Sequence, residues 1–125
     1  MEVKFYVCKK CGKMIAVLKD SPCPTMCCGE AMQEVIANTT DAAQEKHVPV
    51  YEVKGNIVEV NVGSIDHPMT EEHYIEWVLL QTKQGNQRKA LKPNNAPKVS
   101  FALVEGDEVV SVYAYCNLHG LWKAE

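Results

Sequence analysis

The sequence predicts an all-β protein in which a small cysteine-rich metal-binding domain precedes a β-sandwich. Five of the six cysteines fall within the first 28 residues. After residue 41, short β-branched and aromatic runs recur with turn residues between them. No segment keeps a helical 3.6-residue period over a useful length. We therefore divide the chain into residues 1–37 and residues 38–125, and residues 37–41 are predicted to form the linker.

Composition excludes several classes of protein. The chain has 125 residues, of which 46% are hydrophobic and 23% charged, as in ordinary globular proteins. Thirteen basic and sixteen acidic residues leave a net charge of −3, so no positive field attracts nucleic acid or an anionic membrane. The longest uncharged stretch, residues 109–122, is too short and too polar to cross a bilayer. No apolar secretion signal is visible, and we expect a cytoplasmic protein that binds neither nucleic acid nor membrane.

Cysteine spacing in residues 1–37 indicates a metal. A domain this short usually needs a metal or disulfides to fold, and a reducing compartment favours a metal. Cys8 and Cys11 form a C-x2-C turn, and the adjacent Cys27 and Cys28 could complete a tetrahedral set of thiolates for zinc or iron. Cys23, which would form a C-x3-C pair with Cys27, is interpreted as a spare thiol. Reduced buried thiols or disulfides are the alternative to metal binding.

The larger domain is predicted to contain six or seven strands, a number and spacing typical of a β-sandwich. Six of them are expected at residues 50–53, 57–62, 74–82, 87–91, 98–104 and 109–116. Turn candidates stand between strands at residues 54–56, 84–86, 93–95 and 105–107. Val58, Val60 and Val62 alternate with polar residues, which indicates one buried strand face. Ile75, Trp77 and Leu79 are expected to share one strand face and fill the core.

A second group of potential metal ligands contains all four histidines and the one distant cysteine. Its members are His47, His67, His73, Cys116 and His119. Cys116 and His119 form a C-x2-H pair at a strand end, which brings a thiolate and an imidazole within reach of one ion. Four imidazoles and one thiolate suit iron, copper or zinc, and five protein ligands leave one octahedral position open if the metal is iron.

Two functions fit parts of this pattern of cysteines and histidines. One is a rubredoxin-like electron-transfer or zinc-binding structural module, although structural zinc sites are usually closed and four-coordinate. The other is an acyl-transfer enzyme that uses Cys116 and His119 as nucleophile and base. Nothing in the sequence supplies an evident third orienting group or substrate pocket for the latter.

Four separated motifs resemble the desulfoferrodoxin family of two-iron superoxide reductases. They are Glu-Lys-His-Val-Pro-Val at residues 45–50, Gly-Ser-Ile-Asp-His-Pro-Met at 63–69, His-Tyr-Ile-Glu-Trp at 73–77 and Cys-Asn-Leu-His-Gly-Leu-Trp-Lys at 116–123. The four clustered cysteines resemble the family's desulforedoxin-like N-terminal domain. The resemblance covers nearly the whole chain. It implies an immunoglobulin-like, seven-stranded sandwich as the superoxide reductase domain (38–125), a preceding rubredoxin-like FeCys4 domain (1–37), a homodimer and a rubredoxin-like electron donor.

The resemblance also implies two mononuclear non-haem irons. The first iron is bound by Cys8, Cys11, Cys27 and Cys28. The second iron is bound by His47, His67, His73 and His119 in one plane, with Cys116 axial and a sixth position open. The implied reaction is the one-electron reduction of superoxide to hydrogen peroxide without release of dioxygen, a detoxification step in the defence against oxidative stress.

Two charged residues beside the first histidine have implied catalytic roles. Lys46 attracts superoxide and organises a proton-donating water, because it supplies local positive charge in an acidic protein. Glu45 can move onto the open position of the oxidised iron and swings away in the reduced state. The backbone N–H groups of Asn117 and Leu118 are expected to point at the Cys116 sulfur and to temper its electron donation.

Overall fold

A computed structural model describes residues 3–125 of the chain. The chain divides into two compact units, Met1–Ile36 and Ala37–Glu125. The boundary between them lies one residue before the predicted division at residues 37 and 38. Among the residues described, no helix has the length and hydrophobicity needed to cross a bilayer.

Unit 1 contains short strands and a very small core. The strands are β1 (Lys4–Val7), β2 (Met14–Val17), β3 (Met26–Cys27), β4 (Glu30–Ala31) and β5 (Gln33–Glu34). They form a three-stranded sheet in the order β2-β1-β5 and a separate β3-β4 hairpin, both antiparallel. Phe5, Cys8 and Met32 are its buried apolar residues. So small a core supplies little hydrophobic stabilisation, which fits a unit that relies on a bound metal.

Unit 2 is the predicted β-sandwich. It contains a short helix, α1 (Gln44–His47), and the strands β6 (Pro49–Lys54), β7 (Ile57–Val62), β8 (Ile75–Thr82), β9 (Gly85–Ala90), β10 (Lys98–Ala102), β11 (Val109–Cys116) and β12 (Gly120–Ala124). One sheet has the order β10-β7-β6 and the other β12-β11-β8-β9, and all neighbouring strands are antiparallel. The prediction of an all-β, seven-stranded architecture is confirmed, and β12 is the seventh strand.

The core of unit 2 is built by the inward faces of both sheets. Val58, Val60 and Val62 are at most 2% exposed, as their alternation with polar residues predicts. They pack in one apolar cluster with Phe101 of β10 and with buried side chains of β8 and β11. Cys116 belongs to the same cluster. The last residue of β11 therefore places its sulfur at the edge of the core.

A β-bulge in β8 changes the predicted composition of the core. Cys116 pairs with Ile75 while Tyr115 pairs with Trp77, so Glu76 has no partner in the register. The extra residue reverses the inward and outward alternation. Ile75 lies in the core cluster, whereas Trp77 and Leu79 do not. The prediction that these three side chains share one face was therefore wrong, and Trp77 instead stacks on Tyr115 with ring centroids 5.7 Å apart.

Two candidate metal centres

Four cysteines of unit 1 converge on one point, and we call them the cysteine centre: Cys8, Cys11, Cys27 and Cys28. Their sulfur atoms all lie within 4.8 Å of one another. The Cys11 and Cys27 sulfurs are 3.6 Å apart and those of Cys27 and Cys28 are 4.0 Å apart. Tetrahedral metal–sulfur bonds of about 2.3 Å require sulfur separations of about 3.8 Å. Cys23 is exposed and does not belong to this group.

Backbone geometry explains how these four side chains meet. The amide of Gly12 donates to the Cys8 carbonyl at 2.8 Å, and the Cys11 amide points at the Cys8 sulfur at 3.5 Å, which closes the C-x2-C turn. Adjacent side chains normally point in opposite directions along an extended chain. Cys28, however, has the left-handed φ of 53°, and Gly29 follows with a φ of 78°. This turn allows two adjacent cysteines to reach one ion.

The pKa values of two thiols in the cysteine centre are shifted in opposite directions. Hydrogen bonding from the Cys11 backbone lowers the pKa of Cys8 to about 6. Sulfur contacts with Cys8 and Cys11 raise the pKa of Cys27 to about 12. Four thiolates this close repel one another unless a cation lies between them. The cluster therefore fits a tetrahedral metal ion, either zinc or iron.

In unit 2, four imidazole rings form a square that we call, together with Cys116, the histidine centre. In order around the square they are His47, His67, His73 and His119. Neighbouring rings have centroids 4.6–5.1 Å apart and interplanar angles of 74–85°. The rings of His47 and His73 lie across the square, with centroids 6.4 Å apart. The Nε2 atom of His47 lies 3.1 Å from His67 Nε2 and 3.1 Å from His119 Nδ1.

Cys116 supplies a fifth donor atom to the histidine centre. Its residue is fully buried. The sulfur lies within 4.8 Å of donor nitrogens of His47, His67 and His73, and 4.0 Å from His119 Nδ1. The structure thus brings together all five residues of the predicted second group.

The hydrogen bonds of the rings show that these nitrogens fit a metal. His47 Nδ1 donates to the Ala43 carbonyl at 2.7 Å, and His67 Nδ1 donates to the Pro68 carbonyl at 2.6 Å. In each ring Nε2 is then the unprotonated acceptor, so two lone pairs face each other across 3.1 Å. Nε2 of His73 is buried without a hydrogen-bond partner. A cation in the centre of the square satisfies all three nitrogens.

Burial favours the neutral forms of His47, His67 and His73. Desolvation lowers the pKa of His67 to about 4 and also lowers the pKa values of His47 and His73. Desolvation raises the pKa of Cys116, and hydrogen bonds from the backbone of Leu118 and His119 oppose that shift. The sequence predicted such bonds from Asn117 and Leu118. The Asn117 amide instead donates to the Tyr74 carbonyl at 3.2 Å.

Glu45 and Lys46 are exposed on α1, immediately before the buried His47. The charge of Lys46 lowers the pKa values of both His47 and His73, after the larger effect of desolvation. Glu45 has the opposite, weaker effect on the pKa of His47. Helix α1 therefore carries a negative and a positive side chain immediately before His47.

Sequence reasoning did not identify two residues that support α1 and its histidine. A Cβ atom on Gly63 would lie 2.7 Å from the Glu45 carbonyl oxygen and 2.8 Å from that of Val48, so this position accepts only glycine without movement. Trp122 stacks on the His47 ring with centroids 4.9 Å apart and donates to the His119 carbonyl at 3.1 Å. Both residues lie inside the recognised motifs, which is the one signal that could have singled them out.

Known proteins similar to this chain are consistent with both centres. A family model described as "Desulfoferrodoxin" matches residues 39–125. The chain is 44% identical to the desulfoferrodoxin of Clostridium acetobutylicum over 99% of this chain and 97% of that one, and 44% identical over the same shares to the desulfoferrodoxin of Nitratidesulfovibrio vulgaris. The alignment with the crystal structure of the superoxide reductase from Treponema pallidum covers 100% of this chain and 100% of that chain, with a TM-score of 0.85 and 42% sequence identity. The chain therefore belongs to the desulfoferrodoxin family.

Proposed function

We propose that the chain is a superoxide reductase, an oxidoreductase that converts superoxide to hydrogen peroxide without releasing dioxygen. The observation that carries this proposal is the donor set of four imidazoles in a square and one buried cysteine sulfur. Five protein donors leave one octahedral position without a protein ligand. A structural zinc site would be closed by four donors, which disfavours a purely structural or electron-transfer module.

An iron ion held at the histidine centre would supply the single electron that, with two protons, converts superoxide to hydrogen peroxide. We propose His47, His67, His73, His119 and Cys116 as its ligands. As a thiolate, Cys116 would donate electron density to that metal. Desolvation raises the pKa of this thiol, and hydrogen bonds from the Leu118 and His119 backbone oppose the rise and so favour the charged form in a buried site.

Lys46 is proposed to attract the anionic substrate. The whole chain carries a net charge of −3, so superoxide is repelled at long range. The ammonium group of Lys46 is exposed, and its charge acts on both His47 and His73. It therefore creates a local positive field beside the centre, and its Nζ atom can hold a water molecule that supplies a proton to the product.

Glu45 is proposed to be a movable carboxylate that would bind the oxidised iron where the five protein donors leave a position open. The carboxylate is exposed at the start of α1, while its carbonyl is held by the amide of Ile65 at 2.9 Å and by the hydroxyl of Ser64 at 3.2 Å. The backbone is thus fixed and the side chain remains able to rotate. Because a carboxylate beside the centre repels superoxide, Glu45 must point away from it when substrate arrives.

The cysteine centre is proposed to hold the first iron, with Cys8, Cys11, Cys27 and Cys28 as ligands, so residues 1–37 form a FeCys4 domain and residues 38–125 the catalytic domain. A rubredoxin-like protein is the proposed electron donor and a homodimer the proposed assembly. Clustered cysteines without disulfides suit a reducing compartment, and we propose the cytoplasm. Antioxidant detoxification is the corresponding role.

Mixing the anaerobically purified, ferrous protein with a pulse of superoxide tests this proposal. One equivalent of superoxide should oxidise the iron of the histidine centre, detected as a new thiolate-to-iron absorption band. The metal content of the same sample should be two irons per chain. A fully loaded protein whose histidine centre stays ferrous after several equivalents of superoxide would contradict the enzyme proposal.

A further inference from the structure

His73 is held differently from His47 and His67. The rings of His47 and His67 are each oriented by an Nδ1 hydrogen bond to a backbone carbonyl. Within residues 3–125, the ring of His73 makes no such bond, and its Nε2 atom is buried without a partner. The direction of this ring therefore depends on the backbone that carries it and on its edge contacts with the His67 and His119 rings.

The Asn117 side chain forms hydrogen bonds with the backbone on both sides of His73. Its Nδ2 group donates to the Glu72 carbonyl at 2.9 Å, and its Oδ1 atom accepts from the Tyr74 amide at 3.0 Å. The Asn117 amide adds a third bond, to the Tyr74 carbonyl at 3.2 Å. Asn117 directly follows Cys116, so one residue connects Cys116 to the peptide units that flank His73.

Thr70 also contacts this loop but has a different effect. Its amide donates to the His73 carbonyl at 2.9 Å, and its hydroxyl lies 3.1 Å from the His73 amide. These bonds shape the turn formed by residues 70–73. The bonds of Asn117 set the place of that turn relative to Cys116 and His119.

We infer that Asn117 is the positioning residue that sets the direction of the His73 imidazole in the histidine centre. This inference rests on the proposed function, because it takes His73 as an iron ligand. Groups that orient a metal-binding histidine typically contribute 10- to 100-fold in metal affinity or activity. Asn117 performs this task through the backbone instead of through the ring.

The test measures ferrous iron binding by Asn117→Ala and Asn117→Asp in the full chain, by competition with a chromophoric chelator. Asn117→Asp keeps an acceptor for the Tyr74 amide but loses the donor to Glu72, so its effect should be intermediate. Asn38→Ala is the matched control. Asn38 likewise makes two hydrogen bonds to backbone, with the Lys123 carbonyl at 3.1 Å and amide at 2.9 Å, on strand β12, which carries none of the proposed ligands.

Asn117→Ala should weaken iron binding at the histidine centre by about 10- to 100-fold and change the electron paramagnetic resonance signal of its ferric form. The absorption of the cysteine centre should be unchanged and serves as an internal reference. Asn38→Ala should lower thermal stability and leave iron affinity unaltered. Wild-type affinity and an unchanged ferric signal in Asn117→Ala would overturn the inference. Since neither readout uses superoxide, a loaded wild-type protein inert to superoxide would refute the proposed function separately.

Discussion

Replacing Gly63 by alanine is expected to displace the segment that carries His47. The added Cβ atom would meet the Glu45 carbonyl oxygen at 2.7 Å, the Val48 carbonyl oxygen at 2.8 Å and the Lys46 carbonyl carbon at 3.2 Å. Ordinary contact begins near 3.4 Å, so the backbone of α1 must retreat by 0.7 Å (3.4 minus 2.7) or Gly63 must move. All three neighbouring atoms belong to the backbone, so no side-chain rotation relieves the clash.

That displacement should affect stability and reactivity together. Overpacking of this kind costs about 1–3 kcal/mol of unfolding free energy. Because His47 lies 3.1 Å from two other donor nitrogens, a shift of its backbone also misaligns the square. Misplacement on the scale of 1 Å can cost about 100-fold in rate, so we expect a 10- to 100-fold loss in the second-order rate with superoxide.

The assay compares Gly63→Ala with Ser64→Ala by thermal unfolding, iron affinity and superoxide kinetics. Ser64→Ala removes one hydrogen bond to the same Glu45 carbonyl without adding an atom, so it controls for a change in that loop. Its rate with superoxide should stay within about twofold of the wild type because α1 keeps its place. Wild-type stability, affinity and rate in Gly63→Ala would refute the reasoning that this close approach positions His47.

Three further predictions concern charge, protonation and the first metal. Lys46→Ile should slow the reaction with superoxide and weaken the dependence of its rate on ionic strength. Lys83→Ile removes the same charge beyond the far end of β8 and should change neither. Equal effects of the two substitutions would show that only the net charge of the protein matters. The pKa of His67 is lowered from 6.5 to about 4, so the folded chain binds fewer protons than the unfolded chain between these values. Metal-free protein should therefore lose thermal stability as pH falls from 6.5 toward 4, and less steeply in His67→Gln; equal slopes would contradict burial of a neutral ring. Cys28→Ser should abolish the absorption of the cysteine centre and leave superoxide reduction by ferrous protein intact; a slower reduction would contradict a catalytic domain that acts without the first metal.

Much of the architecture could be predicted because it depends on local pattern. The alternation around Val58 and Val60 fixes which face of β7 is buried. Six of the seven strands of unit 2 lie within a few residues of their predicted positions. Strand β12 was not predicted, because its five residues follow Cys116 closely and read as part of the ligand motif. The four-residue helix α1 is too short to display a 3.6-residue period.

Features that depend on tertiary contact were not predictable from the sequence. The bulge at Glu76 reverses the faces of β8, and nothing in the sequence of that strand signals an extra residue. Gly63 looks like an ordinary turn glycine until the carbonyls of Glu45 and Val48 are seen against it. The candidate metal ligands differ from these features. Histidine and cysteine residues that recur in several short motifs of one chain indicate a common binding site. The residues that converge at the two centres could be named from the sequence, whereas the square of rings and the hydrogen bonds of Asn117 required the structure.

The stoichiometry of the products tests the proposed activity most directly. Ferrous protein supplied with an electron donor and known amounts of superoxide should yield one hydrogen peroxide per superoxide consumed, with no dioxygen released. Dioxygen and peroxide in equal amounts, each one per two superoxide ions, would identify a dismutase and contradict the central claim.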